Sequence, residues 1–482
     1  MSFPSSQGVH VISTSTIKPQ ILLQESQDPC YLTPWDIPKL STHYIQKGLL
    51  FTKPSSPSKN IVDHLKNSLS CALAQFFPLA GRLVTVKQAD SQSYCVYLDC
   101  SDAQGAQFIH AATQFSIADI VSPIDVPPIV QSLFPLVPGT VNHDGHTLPL
   151  LIVQVTELTD GIFIACSVNH AVADGTTYWN FFNKWSEISR THIKFETNYK
   201  TQFNVSASNP PIITKRWFLD NQGPIINLPF SHHEEFIDRS FASPPLRERM
   251  FHFSTESLKQ LKAQANSNQP NTTQNEISTF QALIALIWTS VTRARQTSLD
   301  QKTTCKLAIN NRTRMRPKFS QNYLGNCVQI VSATSTVAEI TSKASESSNS
   351  CGVRWAAWLL NRAVSEHSEE KVREWLEGWV KEPWFYKVGR STDEHTLMVS
   401  GSHRFKMFGN DFGWGEVVAV RSGFGNKYDG KVMAYEGRES GSIDLEINLV
   451  GWAMSALETD EEFVKYVASP APPGACNTLS IG

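Results

Sequence analysis

His170 heads the segment His170-Ala-Val-Ala-Asp174-Gly175, directly behind the apolar run Gly161-Ile-Phe-Ile-Ala-Cys-Ser-Val168. An imidazole with an ordinary pKa near 6.5 can take a proton from a substrate hydroxyl at neutral pH and return it to a leaving group. Spacing alone is a thin signal. With 14 histidines in 482 residues, random placement supplies about half a His-x-x-x-Asp match, and requiring the following glycine lowers this to roughly a few hundredths. Location adds weight. Gly161–Val168 reads as a buried central strand, and a turn leaving such a strand is held by rigid scaffold. The competing reading is a histidine satisfied by hydrogen bonds at a strand end. Asp174 either orients the imidazole or points away and pairs with an arginine. Gly175 and the bulky Tyr178, Trp179 and Phe182 behind it favour the second role, with Arg312 as the expected partner.

A second cluster, Asp411-Phe-Gly-Trp-Gly415, interleaves two glycines with two aromatics. It reads as a tight loop in which glycine supplies positive φ and the aromatics anchor the chain. His143-Asp-Gly-His146 resembles a metal site only superficially, since it falls in a polar loop, and no metal is expected. No Gly-x-Ser-x-Gly nucleophile elbow is present, which argues against an acylated serine.

These residues need elements to hold them. Val62, Leu65, Leu69, Leu73 and Phe76 recur at helical spacing and end before Pro78. Tyr94–Leu98, Leu150–Val155 and Gly161–Val168 read as strands. From Thr191 to about Phe230 the chain is polar, with Asn209-Pro-Pro211 and Gly223-Pro224 as breakers. The expected organisation is therefore a domain over 1–190 carrying His170, a crossover linker over 191–230, and a domain over 231–482 carrying Asp411. In the second half a helix is expected from Ile277 to about Arg293, another along Trp355–Trp379 after a Ser-rich stretch, and strands of a second sheet at Val417–Val420, Lys431–Tyr435 and Ser442–Val450. The tail from Ser469 is expected to be disordered.

A formal net charge of -2 and a pI near 6.7 provide no global positive field, which excludes a nucleic-acid or anionic-membrane binder of the usual kind. Nine scattered cysteines without a Cys-x-x-Cys pair point to a reducing compartment. The N-terminus lacks a basic stretch leading into an apolar one, so the cytoplasm is expected, and the sequons at Asn204, Asn271 and Asn311 read as chance.

Taken together and in this order, His170-x-x-x-Asp174-Gly and Asp411-Phe-Gly-Trp-Gly resemble the BAHD family of plant acyl-coenzyme A-dependent acyltransferases. Leu32-Thr-Pro-Trp-Asp36, Phe77-Pro-Leu-Ala-Gly-Arg-Leu83, Gln281-Ala-Leu-Ile-Ala-Leu-Ile-Trp288, Asn311-Arg-Thr-Arg314 and Tyr323-Leu-Gly-Asn326 agree with it. The resemblance covers almost the whole chain. Leu324 departs from the usual aromatic at its position.

The resemblance implies an α/β fold of two similar domains, each a mixed β-sheet flanked by helices, with a solvent channel between them, like chloramphenicol acetyltransferase. His170 is then placed midway along the channel, with acyl-CoA as co-substrate entering from one face and a small-molecule acceptor from the other. The implied reaction moves an acyl group to a hydroxyl or amine of a plant specialised metabolite by direct attack, with His170 as general base. The candidate catalytic set is His170, Asp174 and Asp411, and within it Asp411 is expected to hold its loop rather than take a proton. Gly175, Gly413, Trp414, Gly415 and Arg312 are the structural part. Thr42, assigned with Arg404 to the acceptor pocket, or the amides after His170 are candidate oxyanion donors. Arg404 falls where hydroxycinnamoyl transferases of the family hold an acceptor carboxylate, or else is a salt-bridged structural arginine. Ser278, at a helix start, is a candidate contact to pantetheine or phosphate. A monomer without metal, nucleic acid or membrane is expected. Two alternatives share the scaffold: an enzyme performing elimination, and a non-catalytic ligand binder.

Overall fold

A computed structural model describes residues 8–54, 58–87, 93–193, 212–220, 223–230, 232–267, 276–342, 352–388 and 393–468. The tail from Ser469, Asn209-Pro-Pro211, the sequons at Asn204 and Asn271, and most of the Ser-rich stretch lie outside the described residues.

The first half of the chain contributes strands β1 (Val9–Ile17), β2 (Cys30–Tyr31), β3 (Ile45–Thr52), β4 (Arg82–Lys87), β5 (Tyr94–Asp99), β6 (Ala106–Thr113), β7 (Leu151–Glu157) and β8 (Gly161–Val168). The second contributes β9 (Leu246–Phe253), β10 (Lys302–Asn310), β11 (Val328–Thr336), β12 (Thr396–Gly401), β13 (Val417–Ser422), β14 (Lys431–Glu436) and β15 (Ile443–Val450). They form two six-stranded sheets, in the orders β1-β6-β7-β8-β3-β13 and β11-β10-β12-β14-β15-β9, and a small sheet β2-β5-β4. Both large sheets are mixed: β6 and β7 pair in parallel, as do β10, β12 and β14, while the remaining pairs are antiparallel.

All eight residues of β8 are buried, as its unbroken apolar run requires. The helix Gly175–Ile193 leaves the His170 turn and packs beside the helix Ser58–Gln75; the Trp185 indole N–H donates to Ser68 Oγ at 3.1 Å, and Phe181 meets Phe76 edge-on. Phe181, Phe182 and Trp185 are fully buried, each stabilising this packing by about 2–3 kcal/mol relative to exposure. In the second half, the helix Thr279–Ala294 is buried along most of its length beside Gly352–Ser365.

Three expectations are corrected. The strand at Val417–Val420 belongs to the first sheet: β13 runs antiparallel to β3, with Val417 opposite Phe51 and Ser422 opposite Lys47. An apolar strand pattern states that a face is buried but not against which neighbour. Phe412, just upstream, lies in the first core as well, so a cut at residue 230 does not separate the two cores. The run Trp355–Trp379 is two helices, Gly352–Ser365 and Glu369–Lys381, because the Ser368 hydroxyl caps the second by accepting from Lys371 N. The helix after His170 also continues to Ile193, past the expected start of the linker.

Candidate active site

His170 follows β8 by two residues and its backbone is held by bonds from two distant segments. Its backbone N–H donates to Asn142 Oδ1 at 2.7 Å, and its carbonyl accepts from Asn326 Nδ2 at 2.8 Å. Asn326 is fixed in turn by Asp36, whose Oδ1 accepts from Asn326 N (3.0 Å) and Nδ2 (2.8 Å). Thus Asp36 and Asn326, far apart in the chain, meet behind the same turn.

The ring's protonation follows from its partner. Nδ1 lies 2.9 Å from the Ala173 carbonyl. A carbonyl oxygen only accepts, so Nδ1 carries the hydrogen and the neutral ring presents an unprotonated Nε2. Nε2 makes no hydrogen bond among the described residues, and His170 as a whole is only partly buried. Burial, reinforced by the positive charge of Lys39, lowers the His170 pKa from 6.5 to about 4. The ring is therefore neutral, and able to accept a proton, at physiological pH.

Asp174 does not hydrogen-bond to the imidazole. It is 1% exposed and meets the fully buried Arg312 through two bonds, Nη1 to Oδ2 at 2.6 Å and Nη2 to Oδ1 at 3.1 Å. Its oxygens also accept from Thr177 N (3.0 Å) and Cys327 N (3.1 Å). Burial alone would raise this carboxyl, but the Arg312 charge and these bonds hold it below the ordinary range. Arg312 Nη2 further donates to the carbonyls of Tyr323 and Gly325 at 3.0 Å. Gly325 has φ 144°, and a Cβ there would fall 1.7 Å from Arg216 Nη1, so only glycine fits.

The pentapeptide Asp411–Gly415 works at the far end of the same helix. Asp411 Oδ1 accepts from Gly413 N (2.7 Å) and Gly415 N (3.2 Å), closing the loop, with φ of 110° and 134° at the two glycines. Phe412 packs edge-on against Trp185 and Phe51, and Trp414 stacks on Phe412. Ser189 Oγ donates to the Phe412 carbonyl at 2.9 Å. Asp411 thus makes no bond to His170; the helix Gly175–Ile193 joins the two segments, with the His170 turn before its first residue and the pentapeptide against its last turns.

A family profile described as Transferase family matches residues 7–464. The chain belongs to the BAHD acyltransferase family. An uncharacterised acetyltransferase of Arabidopsis thaliana is 34% identical over 95% of this chain and 99% of its own length. The BAHD acyltransferase DCR of the same plant is 29% identical over 95% of this chain and 92% of its own. The fold matches that of F. graminearum TRI101 complexed with ethyl coenzyme A, with a TM-score of 0.67 at 18% identity, covering 91% of this chain and 99% of that one.

Within this BAHD scaffold the remaining candidates stand differently. Thr42 is not a free oxyanion donor: its hydroxyl donates to Lys39 O at 2.9 Å and accepts from Asn142 Nδ2 at 3.1 Å. The first amides after His170 are also taken, Ala171 N by Asn169 Oδ1 and Val172 N by Asn169 O. Ser278 is exposed, and its hydroxyl caps the helix Thr279–Ala294 by accepting from Gln281 N. Arg404 is exposed and its guanidinium makes no ion pair among the described residues. Its neighbour Phe405 packs against the start of the helix that follows the His170 turn, the ring lying 3.1 Å from where a Gly175 Cβ would stand. Asn311, in the third sequon, is fully buried and bonded to Gln329 and His367. The rings of His143 and His146 lie 4.4 Å apart, yet no group of three or more metal-ligating side chains is found among the described residues.

Lys39 and Asn142 were not legible as site residues. Lys39 is buried, and burial lowers its pKa to about 8 against the opposing pull of Asp36 and Asp174. It carries no pattern in the sequence beyond standing three residues after Asp36. Asn142 borders the His143–His146 segment, where the only visible signal pointed to a metal.

Proposed function

We propose that this chain transfers an acyl group from acyl-CoA to a hydroxyl or amine of a plant specialised metabolite, with His170 as general base. The observation that carries the reading is the unpaired Nε2 of His170, left as the ring's proton acceptor by the Nδ1–H bond to Ala173 O. Nε2 takes the acceptor's proton as its oxygen or nitrogen bonds to the thioester carbonyl. The tetrahedral oxyanion then collapses, the carbon–sulfur bond breaks, and the proton passes to the thiolate. No acyl-enzyme forms. Support also comes from the relatives' names, which speak of acetyl and acyl transfer, and from the coenzyme A analogue bound to a protein of the same fold.

In this reading Asp174 and Asp411 shape the site and do not exchange protons, and the protein acts as a cytoplasmic monomer without a metal. The seven described cysteines are free, which suits a reducing compartment. No helix among the described residues is long and apolar enough to cross a membrane.

The test is coenzyme A release, followed with a thiol reagent, from acetyl-CoA and hydroxycinnamoyl-CoA donors offered with mixed plant alcohols and amines. Acceptor-dependent release is expected. A protein that binds no acyl-CoA, or releases no thiol with any pair, would overturn the transferase reading.

A further inference from the structure

The second sheet has two unlike faces. On one, Val399, Val432, Ala434 and Leu445 lie in the apolar core beneath its helices. Register and alternation put Ser400, Lys431, Tyr435, Glu446, Asn448 and Glu248 on the other. That face is turned toward the first sheet: Lys47 Nζ on β3 donates to Tyr435 OH at 2.7 Å, and Ser422 Oγ on β13 donates to Glu446 at 2.7 Å.

Buried charges are ordinarily paired. Here the pairing is incomplete. Lys427 Nζ is held by Glu248 at 2.5 Å and lies 3.4 Å from Glu446, which also accepts from Tyr435 OH at 2.8 Å. Lys47 is occupied by Tyr435. Lys431, 7% exposed, lies over the Tyr428 ring at 5.6 Å, and its Nζ makes no hydrogen bond or ion pair among the described residues. Directly opposite it in register, the buried Oδ1 of Asn448 also has no partner. Three lysines therefore meet two carboxylates on this face. Asp444 at its margin is bound by His252 at 2.6 Å, and Arg421 turns to the other side of β13, bonding the Val420 and Ile120 carbonyls.

Beyond the ends of β12 and β14, the Glu436 carboxylate accepts from Met407 N at 2.9 Å, and Phe405 packs against the start of the helix that follows the His170 turn. Lys431 pairs in register with Met398, three residues before the end of β12, so it sits roughly 10 Å back along the sheet from that loop.

We infer that Lys431 anchors a carboxylate subsite: a substrate's carboxylate binds its ammonium, and the reacting group reaches toward His170. The last part rests on the acyl-transfer reading; the carboxylate subsite does not. Burial and the adjacent Lys47 charge lower Lys431 to about 7, so an arriving anion also fixes it in its charged form.

Two sources supply such a carboxylate, the acceptor and the distal end of a dicarboxylic acyl group. The experiment is calorimetric binding to the full-length protein of 4-hydroxybenzoate, 4-coumarate, tyrosine and quinate, each beside its methyl ester, and of succinyl-CoA beside acetyl-CoA. Wild type is expected to prefer at least one carboxylate over its uncharged counterpart by about tenfold or more, with the preference abolished in Lys431→Met and Lys431→Gln. Preference among the free acids assigns the subsite to the acceptor, and preference for succinyl-CoA assigns it to the donor. Equal binding of every pair, or a preference that survives in both variants with unchanged melting temperature, would overturn the subsite. His170-dependent thiol release without the preference would sink the subsite alone, and the preference without thiol release would sink the transferase reading alone.

Discussion

Asp174 and Arg312, 138 residues apart, form a fully buried two-bond ion pair directly beneath the His170 turn. The pair joins the start of the Gly175–Ile193 helix to the segment that follows β10, and so fastens the two halves of the chain at the point where His170 must be held. Removing one member strands the other charge in a dry site. Asp174→Ala and Arg312→Ala should each lose about 3–5 kcal/mol of stability, while Asp174→Leu combined with Arg312→Met should be less destabilised than either single change. Denaturant melts check this. An Asp174→Ala protein of undiminished stability that had lost all turnover would return the aspartate to the chemistry.

The acid limb of the rate should be displaced. Because burial and Lys39 depress His170 to about 4, its base form persists through pH 6.5 and is lost only toward pH 4. The kcat/KM for an alcohol acceptor should therefore stay level from pH 7 to about 5; an inflection near 6.5 would contradict the assigned environment. Stability carries the linked sign. Between pH 6.5 and 4 the unfolded chain protonates this histidine while the folded one does not, so its contribution falls as pH drops through that window and levels off below.

The pentapeptide should behave as a clamp. Asp411→Ala removes the acceptor of two loop amides, and Gly413→Ala forces a side chain onto φ 110°. Each should destabilise by about 1–3 kcal/mol, with the loss showing in melting temperature before it shows in kcat of the folded fraction. If Asp411→Ala were fully stable yet reduced kcat a thousandfold, the aspartate would have to act on protons.

What the sequence made legible was local. The strand Gly161–Val168 was readable residue for residue because an unbroken apolar run states its own burial, and His170 follows from it. The Asp174–Arg312 pairing was readable because a turn packed on bulky residues leaves its carboxylate facing inward. Partnership between distant segments was less legible. Val417–Ser422 has the pattern of any half-buried strand, and only three-dimensional packing puts it beside β3 rather than in the second sheet. Thr42 was a candidate donor until its hydroxyl was found between Lys39 and Asn142. Lys431 shows in sequence as one basic residue at a strand start; its isolation follows from Asn448, Glu446 and Lys47, each on a different strand.

The role of His170 is measured most directly by single-turnover transfer in His170→Ala, with acyl-CoA affinity and melting temperature determined on the same preparation. Loss of the Nε2 base should slow transfer to an alcohol by about a hundredfold or more, with acyl-CoA affinity and fold retained. Transfer at the wild-type rate by a folded, acyl-CoA-loaded His170→Ala protein would show that His170 is not the base.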